Sequence, residues 1–402
     1  MPLQIAICGA GPAGLTAAIL LNRTGHSVTL FDQMDAPNPL GSGLMLQPTG
    51  LAVLNAMGLG QDIHDLGHRI DVLSGSVGNQ GRKVLDVRYS ALRDDLYGLA
   101  VHRGALFSVL MDGLKAEGLS ITPSSTVRAV HASSTGQMIE MEEGNREGPF
   151  DLVINAAGQQ SPLTPGARKL LSYGALWTTL DWHDANGFNP HVLEQRYHRA
   201  SHMVGVLPLG RINKDGPEKL AFFWSLKHKD YTDWLQAGLP SWKREVTDLW
   251  PETSVLLEQI TDPASMILAR YSHHRLPRPY ADGLVHIGDS AHSASPQLGQ
   301  GANMALLDAW ALALALKHER SQSGTLQDSL KHYATLRHNH VKLYQAMSWL
   351  FTPVYQSDSR LLPALRDLTM PLLSRLPPVP RIMATMVAGM IADPRSKLEL
   401  AP

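Results

Sequence analysis

The sequence predicts an α/β protein in which a dinucleotide-binding sheet carries an inserted antiparallel sheet and is followed by a C-terminal helical region. Three observations predict this fold class. The chain opens with a strand, a glycine-rich turn, a helix and a second strand over residues 3–32. Residues 175–226 contain four β-rich runs without a long helix between them. Residues 231–262 and the last ninety residues have helical spacing, so strands and helices are segregated as in an α/β fold with an insertion.

The glycine-rich turn predicts a Rossmann-like phosphate site. Gly9, Gly11 and Gly14 follow the spacing G-x-G-x-x-G, with Ala13 inside the motif. The first glycine permits the tight turn, the second lets a pyrophosphate approach, and the third lets the helix pack closely on the strand. Asp32 ends the second strand, where a carboxylate can accept hydrogen bonds from a ribose. No basic residue follows it directly, so FAD or NAD is favoured over NADP.

Composition narrows the class of protein. The chain of 402 residues is 44% hydrophobic and can bury a sizeable core, and its formal net charge of -1 gives no electrostatic reason to expect nucleic acid or a membrane as partner. The single cysteine, Cys8, excludes an intramolecular disulfide and a cysteine-cluster metal site. No signal-peptide pattern and no bilayer-length apolar run is apparent. We therefore expect a cytoplasmic protein.

A second glycine-punctuated segment lies far along the chain. An apolar strand leads into Gly288 and Asp289, and a loop over residues 293–301 precedes a long helix that starts at Ala302. The start of that helix is a second positive dipole end, and Asp289 offers an acceptor for hydroxyl groups. An extended dinucleotide between the two glycine-rich segments fits this pattern.

Several other residues permit two interpretations each. Gly41 and Gly43 fit close approach of a flat ligand as well as an ordinary surface loop. Arg103, at the start of a predicted helix, suits either a phosphate or a surface carboxylate, with a slight preference for the surface role. His292 and the pair at 273–274 lack metal-ligand spacing, which favours hydrogen-bonded structural histidines. Aromatic residues of the inserted sheet form either core or a pocket for a planar substrate.

Taken together, three motifs resemble the class A flavoprotein monooxygenases, the para-hydroxybenzoate hydroxylase type, over almost the whole chain. They are GAGPAG at 9–14 with Asp32, VHRGALFSVL at 101–110, and GDSAHSASPQLGQGANMALLDA at 288–309. The third is the most specific, because the family has G-D-A-A-H, a proline, G-Q-G, an asparagine and D-A in that order. Only Ser290 departs from its first part.

The resemblance implies that FAD is bound at both glycine-rich segments, and it shifts the interpretation of Arg103 to a cofactor contact. It implies no metal and no identifiable catalytic acid, base or nucleophile. The residues that it assigns to FAD are Gly9, Gly11, Ala13, Gly14, Asp32, Arg103, Val127, Gly288, Asp289, Pro296, Gly299, Gly301, Ala302 and Asn303.

The family's activity implies a reaction and its partners. NAD(P)H reduces the flavin, O₂ adds to form a C4a-hydroperoxide, and one oxygen atom passes to a small aromatic or electron-rich substrate. The cofactor carries this chemistry, so the protein must orient the substrate and exclude water. We expect Gln47, Trp224 and Pro296 to line the substrate pocket. The substrate and the oligomeric state remain open.

One departure from the family concerns the reductant. The family's middle motif runs D-x-x-x-G-A-D-G-x-x-S and often continues to an arginine, whereas this chain reads DLVINAAGQQSPLT from residue 151. Asn155 replaces the glycine, Ala157 the aspartate, and Thr164 stands where the arginine often lies. NADH or NADPH as reductant is therefore in doubt, and a donor such as free reduced flavin is an alternative. A non-catalytic FAD-binding redox sensor or scaffold is a further alternative, which the loop at 296–303 argues against.

The predicted domain organisation is discontinuous. The FAD-binding domain comprises residues 1–70, 100–170 and 270–320. The substrate domain, with its antiparallel sheet, comprises residues 71–99 and 171–269. Residues 321–402 form a C-terminal helical cap.

Overall fold

The computed structural model describes residues 2–36, 42–78, 81–166, 168–183 and 187–401, so the expectation for Gly41 lies outside the described residues. The strands are β1 (Gln4–Cys8), β2 (Ser27–Phe31), β3 (Gly43–Leu46), β4 (His68–Ile70), β5 (Val72–Val77), β6 (Arg82–Arg88), β7 (Gly98–His102), β8 (Ile121–Thr122), β9 (Val127–Ser133), β10 (Gly136–Met141), β11 (Arg146–Phe150), β12 (Leu152–Asn155), β13 (Lys169–Leu170), β14 (Tyr173–Asp181), β15 (Val192–His198), β16 (His202–Arg211), β17 (Glu218–Lys227), β18 (Ile267–Ala269), β19 (Ser272–His273), β20 (Tyr280–Ala281) and β21 (Leu284–His286).

The helices bear out the helical patterns of the sequence, with a break in the middle segment. They are α1 (Pro12–Arg23), α2 (Pro48–Ala56), α3 (Gly60–Leu66), α4 (Arg103–Ala116), α5 (Tyr231–Leu249), α6 (Ser254–Leu257), α7 (Asp289–His292), α8 (Gly301–Ser321), α9 (Leu326–Tyr355), α10 (Leu361–Leu373) and α11 (Val379–Val387). Gly238, with a φ of +75°, kinks α5 just before Pro240. The predicted helical stretch 231–262 is therefore three shorter pieces, because proline cannot continue the hydrogen-bond ladder.

The α/β fold class is confirmed. A six-stranded sheet has the order β20-β21-β12-β1-β2-β8 and is parallel except at the edge strand β20. Helices α1, α4 and α8 pack on one face, and the small sheet β9–β10–β11 covers the other through contacts such as Phe31 with Phe150. Both faces are covered, which explains why β1 is a continuous apolar run with no strict alternation.

The predicted inserted sheet is a seven-stranded sheet with the order β18-β14-β17-β16-β15-β5-β6. Neighbouring strands are antiparallel except β15 and β5, which run parallel. One face packs against α5 and α6 in a tryptophan-rich core, and residues of the other face line a large cleft. No helix among the described residues has the combined length and hydrophobicity that crossing a membrane requires.

A buried ionic cluster joins the end of the parallel sheet to the long helices. Asp308 on α8 has no exposed surface. Its Oδ2 accepts hydrogen bonds from the Gly288 amide at 2.8 Å and from His292 Nε2 at 2.6 Å, and its Oδ1 accepts one from Arg337 Nε of α9 at 2.7 Å. Burial alone would raise the pKa of Asp308, but His292 and Arg337 outweigh it and hold that pKa well below its usual range. The carboxylate thereby fixes the positions of three chain segments.

Next to this cluster, His340 ties α9 to the chain after α11. Its Nδ1 accepts a hydrogen bond from Arg337 at 3.1 Å, and its Nε2 donates to the Gly389 carbonyl at 2.9 Å. These two partners require a neutral imidazole. Burial, assisted by the charge of Arg337, lowers the pKa of His340 to about 3.

We expect Asp308→Asn to lower the free energy of unfolding by about 3–5 kcal/mol, because it leaves the Arg337 guanidinium buried without a counter-charge. Urea denaturation of the purified variant measures this. The matched control is Asp112→Asn, which breaks an exposed pair with Lys115 and should change stability by less than about 1 kcal/mol. Equal losses in the two variants would contradict the assignment.

Acid should destabilise the protein through His340. Below about pH 6.5 the His340 imidazole of the unfolded chain is protonated. In the folded protein the same imidazole stays neutral until the pH approaches about 3. Since the unfolded state then binds more protons, the free energy of unfolding falls as the pH is lowered across this window. In His340→Gln this fall should be shallower, measured by urea denaturation between pH 7 and about pH 5. The control is His338→Gln on the exposed face of the same helix, which should keep the wild-type slope.

Candidate active site

A cleft of about 1380 Å³ connects the parallel sheet with the cleft face of the seven-stranded sheet. Its first end is lined by the β1–α1 turn, the end of β2, the start of α4 and β9. Its other end is lined by side chains of β14–β17 and of α9–α11. The loop after β12 and the segment 289–302 border the middle.

The three glycines of the first turn are held in different surroundings. Gly9 has a φ of +108°, and a Cβ there would lie 2.6 Å from the Ala156 carbonyl oxygen. A Cβ on Gly14 would lie 1.8 Å from the carbonyl oxygen of Gly9, so helix and strand pack too closely for any side chain. A Cβ on Gly11 would meet nothing within 4 Å. The space beside Gly11 belongs to the cleft, which is where a phosphate would need to approach.

Asp32 stabilises the turn that it faces. Its Oδ2 accepts a hydrogen bond from the Ala10 amide at 2.5 Å, and its Oδ1 accepts one from the Met34 amide at 2.9 Å. The carboxylate lines the cleft, and each oxygen keeps a second lone pair for a ligand.

Three further predicted residues line the cleft, Arg103 and Val127 at this end and Asp289 at the middle. Arg103 begins α4 with its side chain exposed to the cleft, and Val127 begins β9 as a buried lining residue. Asp289 is accessible from the cleft, yet the protein around it displaces enough water to raise its pKa, an effect that His292 and Arg103 oppose. Ala13 is buried on α1 beside Gly288. The structure thus brings residues from distant parts of the chain to one cavity.

The loop before α8 is shaped by Asn303. Its amide nitrogen donates to the Met45 and Gly299 carbonyls at 3.0 Å each, and its amide oxygen accepts from the Gln47 backbone amide at 2.8 Å. Gly299 adopts the left-handed conformation, with a φ of +60°. Pro296 on this loop and Gly301 and Ala302 at the start of α8 line the cleft. Asn303 itself is fully buried and acts by positioning its neighbours.

Gln47, which was predicted to line the substrate pocket, borders the cleft, but its side chain is only 1% exposed and is hydrogen-bonded within the protein. Its Oε1 accepts a hydrogen bond from the Tyr89 hydroxyl at 2.5 Å. Tyr89 was not among the predicted site residues, because a tyrosine in a short polar segment carries no motif. Its role emerges only from the three-dimensional contact.

The expectation that Trp224 lines the substrate pocket is wrong. Trp224 is 2% exposed and belongs to the core between the seven-stranded sheet and α5, together with Trp242 and Trp250. Its neighbour Phe223 points to the other face, where it stacks on Trp177 at a centroid distance of 4.5 Å and lines the cleft. Successive side chains of a strand alternate between faces, and both faces of β17 are buried, so burial alone gave no indication of the cleft side.

The C-terminal helices also contribute to the cleft, which the sequence did not indicate. Met370 of α10 and Met383 and Met386 of α11 line its far end. Methionine side chains adapt to irregular apolar shapes. Together with Trp177 and Phe223 they give this chamber a predominantly apolar surface.

The departures in the middle motif form a buried hydrogen-bond network. Asn155 is fully buried; its amide nitrogen donates to Thr164 Oγ1 at 3.1 Å and to His286 Nδ1 at 2.9 Å. Its amide oxygen accepts from the Ser161 hydroxyl at 2.8 Å and from the Ala157 amide at 3.2 Å. All four hydrogen-bonding positions of the amide are used. The network fixes the loop that borders the cleft, and the short side chain of Ala157 leaves no carboxylate there.

Of the three histidines predicted to be hydrogen-bonded, two have side-chain partners, whereas Nε2 of His274 is buried without a hydrogen-bond partner among the described residues. His292 pairs with Asp308, and His273 Nε2 lies 3.4 Å from Thr352 Oγ1. Within the described ranges one group has ligand atoms close enough for a metal ion, namely His318, Glu319 and His332. A hydrogen bond of 3.0 Å between His332 and Glu319 accounts for that arrangement, and it lies where α8 meets α9, outside the cleft lining.

This chain is similar to known proteins in sequence and in architecture. The family model described as FAD binding domain matches residues 2–347. A salicylate hydroxylase of Pseudomonas putida is 26% identical over 369 residues, covering 84% of this chain and 82% of the relative. The 3-amino-4-hydroxybenzoate 2-monooxygenase of Streptomyces cremeus is 25% identical over 356 residues, covering 83% of each chain.

Solved structures agree on the fold. A 2-methyl-3-hydroxypyridine-5-carboxylic acid oxygenase superposes with a TM-score of 0.78 at 20% identity, over 98% of both chains. HpxO of Klebsiella pneumoniae, complexed with FAD and uric acid, superposes with a TM-score of 0.80 at 17% identity, over 97% of both chains. The family match over most of the chain and the names of the relatives lead to one conclusion: this chain belongs to the class A FAD-dependent monooxygenases and is an oxidoreductase.

Proposed function

We propose that this chain inserts one oxygen atom from O₂ into a small aromatic or electron-rich substrate, using FAD bound in the cleft and NAD(P)H as reductant. The observation that carries the proposal is the continuity of the cleft. One cavity extends from the glycine turn to an apolar chamber with Trp177 and Phe223 on its wall. A dinucleotide and a planar substrate would therefore share one space, which family membership alone does not require.

The residues at the first end suit the adenosine and pyrophosphate parts of FAD. Gly11 leaves open space beside the start of α1, and the unpaired amides of a helix start favour phosphate. The Asp32 carboxylate would accept a hydrogen bond from a ribose hydroxyl. Arg103 would contact the pyrophosphate, and Val127 would contact the adenine. At the middle of the cleft, the Asp289 carboxylate would accept hydrogen bonds from hydroxyl groups of the ribityl chain.

The residues of the second glycine-rich segment suit the flavin ring. When bound, FAD supplies the redox and oxygen chemistry. The 21-residue helix α8 directs its positive end and free amides toward the loop of Pro296, Gly299 and Gly301. This end would stabilise negative charge on a ligand in the cleft. Asn303 would hold the loop in register against Gln47.

The apolar chamber would orient the substrate and exclude water. Its aromatic walls suit a flat ring, and Tyr271 and Gln195 are among its few polar lining groups. Burial raises the pKa of Tyr271 to about 12, so its hydroxyl stays protonated at neutral pH and donates to or accepts from a ligand. We further propose that residues 71–99 and 171–269 act as the substrate domain, since β5, β6 and β14–β17 form this wall.

A second candidate differs only in the electron donor. Ala157 lines the cleft where the family pattern has an aspartate, and Asn155 and Thr164 are committed to internal hydrogen bonds. These side chains offer no charged group to a nicotinamide dinucleotide. A flavoenzyme reduced by free reduced flavin is consistent with that arrangement.

Gly11→Ala should weaken FAD binding without unfolding the protein. Its Cβ meets open space in the protein alone but would crowd a bound pyrophosphate, so we expect a loss of affinity of about tenfold or more. Titration of the FAD-free protein with FAD, followed by flavin fluorescence, measures it. The comparison variant is Gly14→Ala, whose Cβ would collide with the Gly9 carbonyl and should reduce stability itself. Unchanged FAD affinity in Gly11→Ala would refute the proposed phosphate position.

Anaerobic mixing of the FAD-loaded protein with NADH or NADPH tests whether a nicotinamide dinucleotide or free reduced flavin is the electron donor. We expect NADH or NADPH to bleach the absorbance of the oxidised flavin, because reduction needs only close approach of the nicotinamide and flavin rings. The bleaching should be faster in the presence of a hydroxylated aromatic acid. Dithionite serves as the control that the flavin is reducible. If neither nucleotide bleaches it across a panel of such acids while free reduced flavin does, the second candidate replaces the first.

A further inference from the structure

The outward face of α10 is apolar. Leu361, Leu365, Leu368 and Leu372 are 76%, 54%, 70% and 68% exposed. Their spacing of four, three and four residues places them along one side of the helix, which we call the leucine face. Monomeric proteins seldom leave such a continuous apolar stripe in water. We therefore expect another molecule or surface to cover the leucine face.

Neighbouring helices add to the exposed apolar surface. Trp349 near the end of α9 is 69% exposed, and Ile382 of α11 is 53% exposed. Helix α10 packs against α9. Among the described residues, most of the exposed large apolar side chains fall between positions 349 and 382, so this surface is a concentrated feature of the C-terminal helices.

The charges of this region are one-sided. Arg360, Arg375 and Arg381 are exposed and form no ion pair with any described residue. The two nearby carboxylates are already engaged, Asp358 with Lys227 and Asp367 with Arg366. The margin of the leucine face is thus positive although the whole chain has a formal net charge of -1.

We propose that the leucine face docks on an anionic phospholipid surface. A helix with one leucine-rich side and flanking arginines is the arrangement that lies in the plane of a membrane interface. Arginines close to the surface are attracted by anionic headgroups, and exposed tryptophan suits the headgroup level. The expectation of no membrane partner rested on net charge, which averages over this local asymmetry.

A second copy of the chain fits this surface less well. Self-association of two identical chains is usually two-fold symmetric, so each patch meets its own copy. Such a contact would bring Arg360, Arg375 and Arg381 of both copies together without free carboxylates to pair with them, and like charges at an interface oppose binding. Anionic lipid supplies the missing opposite charge.

The leucine face also reaches the cleft. Leu365 of this face is exposed and at the same time lines the cleft, as does Leu373, which follows the face at the end of α10. A lipid-soluble aromatic substrate could pass from the bilayer into the cleft without crossing water. This consequence rests on the proposed function, whereas docking on lipid does not.

Vesicle flotation of the FAD-loaded full chain tests the docking, with vesicles of phosphatidylcholine alone or with about one quarter phosphatidylglycerol. We expect the protein to float with the anionic vesicles and to be released by salt. L361Q/L368Q/L372Q should bind at least tenfold more weakly, and none of these three leucines lines the cleft. The matched control L235Q/V255Q removes exposed apolar side chains elsewhere and should float like the wild type.

The arginines provide an independent measurement. R360Q/R375Q/R381Q should lose affinity for anionic vesicles by about fivefold for each arginine. Any binding of the wild type to neutral phosphatidylcholine vesicles should be unchanged in this variant. FAD content and circular dichroism check that each variant is folded. The proposal is overturned if the wild type does not float, or if the leucine variant floats as well as the control. A concentration-dependent dimer in light scattering that the leucine substitutions abolish, without flotation of the wild type, would assign the surface to a second copy instead.

Discussion

The arrangement of the cleft depends on the buried carboxylate of Asp308. Two other segments of the chain meet on its two oxygens. One runs from the turn at Gly288 through α7 to His292, and the other is α9 with Arg337. Burying a carboxylate is costly unless hydrogen bonds and opposite charges compensate. Here Gly288 and His292, which follow the parallel sheet, donate hydrogen bonds, and Arg337 supplies the opposite charge. Since α8 starts at the cleft and carries Asp308 two turns later, one buried charge sets the position of the helix start that faces the cavity.

A second set of contacts links the two halves of the cleft. Asn303 on α8 holds the backbone of Gln47, and the Gln47 side chain holds Tyr89 beyond β6. This path runs from the second glycine-rich segment to Tyr89, which packs in the core beside the lining residue Val87. Its hydrogen bonds join buried groups, each of which would be costly to leave unpaired. These buried hydrogen bonds thereby fix the two ends of the cleft relative to each other.

The sequence was sufficient for features whose cause is local. Gly9, Gly14 and Asp32 carry their own steric and hydrogen-bonding reasons, and the strands of the inserted sheet follow from apolar runs between turns. It was insufficient where the cause lies in the partner. On β17 the choice between Phe223 and Trp224 depends on which face of the sheet meets the cleft, because a shift of one residue exchanges the two faces. On α10 the leucines have helical spacing, but spacing cannot say whether that side meets protein or an outside surface.

The departures from the family pattern acquire a common explanation in three dimensions. Ser290 lies far along the chain from Asn155 and Thr164. Even so, Asn155 donates a hydrogen bond to Thr164, Thr164 donates one to the Ser290 carbonyl, and the Ser290 hydroxyl donates one to the Asn155 carbonyl. A buried asparagine alone would leave amide groups unpaired. Here the Asn155 amide is paired by Thr164, His286, Ser161 and the backbone amide of Ala157. These substitutions therefore preserve the architecture at the end of β12. The Ala157 side chain forms no hydrogen bond in this network, and it leaves the cleft wall without the carboxylate of the family pattern. Among the departures, Ala157 is therefore the one that bears on the electron donor.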